Sequence, residues 1–174
     1  MKRIRQIGMG RRPSYRYPLA ALVVLCSLLA SHLLQAGGNR PPSSYEGVFV
    51  RRAVDGDTVV LSSGERLRYI GMDTPELHHP KKPVQWYARE AMEFNRTLVE
   101  GKPVRLEFDV ERYDKYRRLL AYVYLQDGTF VNAELVRQGY AKILTIPPNV
   151  KYADLFLKYQ REAREASRGL WGKR

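Results

Sequence analysis

Cysteine is almost missing from this chain. Of 174 residues only Cys26 carries a thiol, and none follows it. A disulfide framework and a zinc–thiolate site are thereby excluded beyond that point, and stability has to come from packing. Histidine is nearly as scarce. His32 lies in an apolar run, and His78 and His79 are adjacent, so on a strand they would face opposite ways. That spacing argues against a dinuclear histidine site. No Ser-His-Asp pattern, G-x-x-x-x-G-K-[ST] loop or G-x-G-x-x-G run occurs, which removes the triad-hydrolase, P-loop and dinucleotide-binding readings.

Acid is missing from the first 44 residues. They hold seven of the 30 Lys and Arg and none of the 18 Asp and Glu, so the remainder carries +5 of the net +12. A basic domain fits a polyanionic partner, and it equally fits a solvated basic face. The tail 1–18 precedes an uncharged run, Leu19–Ala36. That run is longer than a usual signal core and at the short edge of a membrane span, which needs roughly 17–25 residues. The positive-inside rule puts the tail in the cytoplasm and the domain outside. No small-x-small cleavage site stands out, since Leu34 lies two before Ala36 and Leu28 two before Ala30. An uncleaved anchor is therefore preferred to a cleaved signal, with both left open. Cys26 follows Leu25, which disfavours lipidation. Residues 37–44, "GGNRPPSS", read as a linker, and 45–174 as the domain.

Within the domain, Val48–Val54, Thr58–Leu61 and Arg66–Gly71 read as a three-strand meander turning at Asp55-Gly56 and Ser62-Ser63-Gly64. Tyr87, Ala91, Phe94 and Leu98 share one helical face, predicting a helix over Pro83–Glu100. Val104–Val110 and Leu119–Leu125 are further strands. Asn132 is expected to cap a short helix, Ala133–Gln138, and Tyr152–Arg168 to form a third. The fold class is α+β, mainly β: a five-stranded OB-fold barrel with three helices, preceded by the hydrophobic segment.

The chemistry concentrates in "AVDGDTVVLSSGERLRYIGMDTPE", Ala53–Glu76. In a meander the start of strand two and the end of strand three share one end of the sheet, so Asp57 and Asp73 can approach. Two carboxylates with a backbone carbonyl and waters suit Ca²⁺ or Mg²⁺, though not with EF-hand spacing. Asp55 and Asp57 also suit an ordinary turn. Arg68 lies between core-facing neighbours, so its guanidinium emerges at a rim or meets an acid. Arg118 closes "DKYRR" (114–118) just before strand five. Two arginines and a divalent cation around one point would clamp a phosphodiester. Surface pairs with Glu65 or Glu111 would satisfy the same arginines. Glu76, after Thr74-Pro75, could hold or deprotonate a water.

Taken in order, "VDGDTV", "RLRYIGMDTPE", "HHPKKPVQWYAREA", "DKYRRLLAYVY" and "VNAELVRQGYAK" resemble the thermonuclease family, typified by staphylococcal nuclease, from about Tyr45 to Trp171. The resemblance implies an OB barrel with three helices and Ca²⁺-dependent hydrolysis of DNA and RNA to 3′-phosphate ends. It implies calcium ligands at Asp57, Asp73 and the Thr74 carbonyl, a catalytic trio of Arg68, Glu76 and Arg118, and phosphate contacts from Lys115 and Tyr116. Arg117 departs from the family's glycine, which would stiffen the loop and offer a competing phosphate ligand. Thr145 and Pro147 replace substrate-touching tyrosines, so base stacking would be weaker or supplied elsewhere, for example by Trp86 or Tyr152. The expected protein is an exported monomer, membrane-anchored or secreted. The competing reading is a non-catalytic OB module that binds nucleic acid.

Overall fold

The computed structural model describes residues 44–78, 81 and 83–172. The expected basic tail 1–18, hydrophobic segment 19–36 and linker up to residue 43 lie outside the described residues, as does His79. Among the described residues no helix is long and apolar enough to cross a membrane.

Five strands close a barrel. β1 (Ser44–Ala53) pairs antiparallel with β2 (Thr58–Leu61), which pairs with β3 (Arg66–Tyr69). A two-residue strand, β4 (Met72–Asp73), follows. β5 (Pro103–Glu107) and β6 (Leu119–Leu125) complete the cylinder in the order β1-β2-β3-β6-β5, β3 and β6 running parallel. Closure leaves no free edge and encloses Val59, Leu67, Leu106 and Val123. β3 shows the period-two logic: Leu67 and Tyr69 are buried, Arg66 is exposed and Arg68 half-buried.

The expected OB barrel with three helices is therefore present, with shifted boundaries. α1 is Ala88–Val99, five residues shorter at its start than the apolar periodicity suggests. Tyr87 has φ 69°, a left-handed conformation that a helix cannot pass through. The fourth strand of the sequence reading stops at Glu107 rather than Val110. Beyond it the Asp109 carboxylate accepts bonds from Val110 N–H, the Tyr122 hydroxyl and Lys151 N–H, and these hold the chain away from the ladder. The third ends at Tyr69 because Gly71, at φ 83°, turns it into β4. β4 pairs with β7 (Lys142–Ile143), a small sheet that the sequence did not suggest. Asn132 is not a cap. It lies inside α2 (Val131–Arg137), fully buried, accepting from Val123 N–H and donating to the Ile70 carbonyl. α3 is Ala153–Glu165, with Phe156 and Ala163 buried.

Candidate active site

The register of β2 and β3 sets the acids. Thr58 lies opposite Arg68, so Asp57, one residue earlier, arrives beside it, and its carbonyl accepts from Tyr69 N–H at 2.9 Å. The turn at Gly71 and strand β4 then bring Asp73 back to the same arginine. Arg68 contacts Asp57 Oδ2 through Nη1 and donates from Nη2 to Asp73 Oδ1 at 2.6 Å. The Nη1 contact is an ion pair without hydrogen-bond geometry. The two carboxylates thus meet at one guanidinium, an approach that the meander allows. Thr74 braces Asp57 further: its N–H and Oγ1 both donate to Oδ2 at 2.9 Å, while the Thr58 hydroxyl donates to Oδ1.

Asp57 is 7 % exposed. A buried carboxylate and a half-exposed second one offer oxygen donors only. That chemistry fits a hard divalent cation and argues against zinc or copper. Among the described residues no group of three or more His, Cys, Asp or Glu is gathered around one point. Any cation here would rely on two carboxylates, a carbonyl and water.

Arg118 reaches the site by the parallel pairing of β3 and β6. Leu120 lies opposite Arg68, and alternation puts Arg118 on the same face as Leu120. Its Nε donates to Asp114 Oδ2 at 2.7 Å, and its backbone N–H donates to Asp114 Oδ1 at 2.9 Å. The partner is therefore Asp114 within its own turn, not Glu65 or Glu111. Burial lowers the Arg68 pKa from its ordinary value, and the nearby Arg118 charge adds to this while Asp73 opposes it. The group stays a cation, since a guanidinium holds its proton far above neutrality. The two guanidiniums are electrostatic neighbours, Arg68 paired with Asp57 and Asp73 and Arg118 with Asp114.

A cavity of about 450 Å³ opens beside them, and its lining includes Arg68, Lys115, Tyr116, Arg118, Leu144 and Ile146. Tyr116 is 68 % exposed, with the Lys115 ammonium 5.1 Å and the Arg118 guanidinium 5.4 Å from its ring centre. Four of the residues singled out from sequence thus share one pocket. Asp57, Asp73, Thr74 and Glu76 do not line it. Glu76 is half-buried, its backbone N–H donating to Gln85 Oε1 and its carbonyl accepting from Gln85 N–H. Its carboxylate forms no ion pair among the described residues. Burial, with the Glu76 charge adding, raises the Asp55 pKa, so these two acids are electrostatic neighbours.

Several contributors were missed. Asp114 stood in the quoted "DKYRR", and an Asp before a basic turn is an Asx-turn signal. Tyr113, Leu144 and Ile146 line the pocket with no signal of their own. Trp86 and Tyr152, expected to stack bases, are not on it. Tyr152 instead donates to Glu107 and packs edge-on against Tyr122 at 4.7 Å between ring centres.

The staphylococcal nuclease homologue family model matches residues 66–173. A thermonuclease of Staphylococcus intermedius is 42 % identical over 129 residues, covering 72 % of this chain and 76 % of the relative. A thermonuclease of Staphylococcus hyicus is 38 % identical over 125 residues, covering 70 % and 73 %. A prophage-derived endonuclease of Bacillus subtilis is 41 % identical over 131 residues, covering 72 % of this chain but 44 % of the relative. The closed barrel, the paired arginines and these matches agree: the chain belongs to the staphylococcal nuclease family and is a nuclease-type hydrolase.

Proposed function

We propose that this nuclease, acting as a monomer, hydrolyses phosphodiester bonds of DNA and RNA with Ca²⁺ as cofactor and leaves 3′-phosphate ends. The observation that supports this most directly is the approach of Arg68 and Arg118 to one pocket, with Asp57 and Asp73 meeting on Arg68. A phosphodiester bound there meets two guanidinium forks. As water attacks phosphorus, negative charge grows on the non-bridging oxygens, and fixed guanidiniums stabilise that state more than the ground state. Glu76 orders the attacking water and takes its proton, the P–O5′ bond breaks, and the departing 5′ oxygen takes a proton from solvent water. Lys115 and Tyr116 hold the substrate strand. Asp57, Asp73 and the Thr74 carbonyl would hold the cation, which would supply positive charge to offset the charge growing on the phosphoryl group. The thermonuclease and endonuclease names of the relatives fit this reading. The sequence of residues 1–36 adds the proposal that the domain works outside the cytoplasm, tethered or released.

The test incubates the purified full-length protein with single-stranded DNA, duplex DNA and RNA, in Ca²⁺, Mg²⁺ or EDTA, beside Glu76→Gln. Ca²⁺-dependent cleavage that the variant loses supports the proposal, with end-labelling to identify the phosphorylated terminus. Binding without any product would instead make the barrel a non-catalytic module.

A further inference from the structure

We infer that Arg117 is a specificity-determining residue that binds a phosphate adjacent to the scissile one, giving this chain a preference for polynucleotides over single diesters. The inference rests on the nuclease reading above and concerns a position outside the residues assigned there.

The argument starts from the turn Asp114–Arg118. Asp114 Oδ1 accepts from the backbone N–H of Tyr116 at 2.8 Å and of Arg118 at 2.9 Å, and the Arg117 N–H donates to the Asp114 carbonyl at 2.9 Å. The turn is therefore fixed by its own hydrogen bonds, and Arg117 occupies its left-handed position, φ 61°. Side chains other than Gly, Asn and Asp are disfavoured there. A cation wanted only for solubility could occupy any exposed position without that strain.

The cations of the turn have different commitments. Arg118 is held by Asp114, and Lys115 lies against the Tyr116 ring. Arg117 is exposed, and its side chain makes no ion pair or hydrogen bond among the described residues. It follows directly on Tyr116 and precedes Arg118, both of which line the pocket. The exposed acid on this rim, Glu111, is engaged only through its backbone, by Asn149. It opposes anion binding without neutralising Arg117. Once Arg68 and Arg118 hold one phosphate, only a longer strand brings a second within reach of the Arg117 fork, which suits phosphate oxygens.

The test uses the full-length chain and its Arg117→Gly and Arg117→Lys variants on a mixed-sequence single-stranded oligonucleotide and on a dinucleoside monophosphate with one diester. For Arg117→Gly the ratio of kcat/KM between the two substrates should fall about fivefold to tenfold, through KM. The slope of log kcat/KM against log salt on the oligonucleotide should shrink by about 0.7, the value for one lost phosphate contact on a single strand. Arg117→Lys should restore the slope, because it keeps the charge. An equal loss on both substrates would mean that Arg117 acts only through the shape of the turn, and would overturn the inference. So would an unchanged salt slope. If the wild-type chain cleaves nothing, the nuclease proposal fails. Anisotropy binding of the same oligonucleotide then decides Arg117 by the same change in slope.

Discussion

Asp114 and Arg118 are joined by three hydrogen bonds: the Asp114 N–H donates to the Arg118 carbonyl at 3.1 Å, and the carboxylate accepts from the Arg118 N–H and from Nε. One acid thus shapes the turn and aims the guanidinium. Asp114→Asn keeps the size but removes the charge. A charge-assisted bond contributes about 1.5–3 kcal/mol, so kcat is expected to fall about tenfold to a hundredfold. Steady-state kinetics checks it, and circular dichroism confirms a retained fold. Unchanged kcat would show that Arg118 needs no such partner.

The brace on Asp57 depends on a glycine. A Cβ at Gly56 would lie 2.7 Å from Thr74 Cγ2 and 2.8 Å from Cβ and Oγ1. Gly56→Ala must therefore displace Thr74, whose N–H and Oγ1 hold Asp57. Overpacking of this kind costs about 1–3 kcal/mol. The variant is expected to need a higher Ca²⁺ concentration for half-maximal cleavage, read from a Ca²⁺ titration at saturating DNA. An unshifted midpoint would separate Thr74 from cation binding.

The barrel was legible because its strands alternate and its turns carry Asp-Gly and Ser-Gly signals. Asp57, Arg68 and Asp73 were legible because a meander fixes which strand ends meet. What stayed hidden depended on long-range contacts. Asn132 has the composition of a cap, but packing against Ile70 and Val123 draws it inside the helix. Tyr87 fits an apolar helical stripe, yet its left-handed backbone stops the helix, and its ring stacks 5.5 Å from Tyr140. Leu144 and Ile146 reach the pocket through the β4–β7 pairing, which strands of two residues cannot announce.

Acid should loosen the fold at two named carboxylates. Burial pushes Glu107 up, but hydrogen bonds from Lys151 and Tyr152 outweigh it and hold its carboxyl below the ordinary value. Burial likewise pushes Asp114 up, and the Arg118 backbone and guanidinium more than offset it. A carboxylate whose folded pKa is depressed contributes stability fully above its unfolded value, about 3.9–4.3, and loses it as pH falls through the folded value. Urea unfolding from pH 6 down to pH 2 should show stability declining below about pH 4. In Glu107→Gln the decline should be shallower, because one titrating group has gone. An identical slope would assign the acid sensitivity elsewhere.

Asn95 ties the barrel core to the acidic loop. It is 0 % exposed, its Nδ2 donates to the Asp55 carbonyl at 2.9 Å, and its Oδ1 accepts from the Tyr69 hydroxyl at 2.9 Å. Burial pushes the Tyr69 hydroxyl pKa up, so that group stays a neutral donor and needs its acceptor. Asn95→Ala leaves a hydroxyl and a carbonyl unmet, at about 1–3 kcal/mol each. Urea unfolding should therefore register a loss of about 2–6 kcal/mol. Asn95→Asp keeps the acceptor for Tyr69, and its carboxyl, when protonated, donates to the Asp55 carbonyl in place of Nδ2. It should therefore recover part of the stability, and the recovery should grow as pH falls and the carboxyl protonates. Asp55 sits two residues before Asp57, so the same variants should raise the Ca²⁺ requirement in proportion to how far the loop loosens. If stability falls while the Ca²⁺ midpoint stays fixed, Asn95 serves the core alone and the acidic loop is held by Thr74.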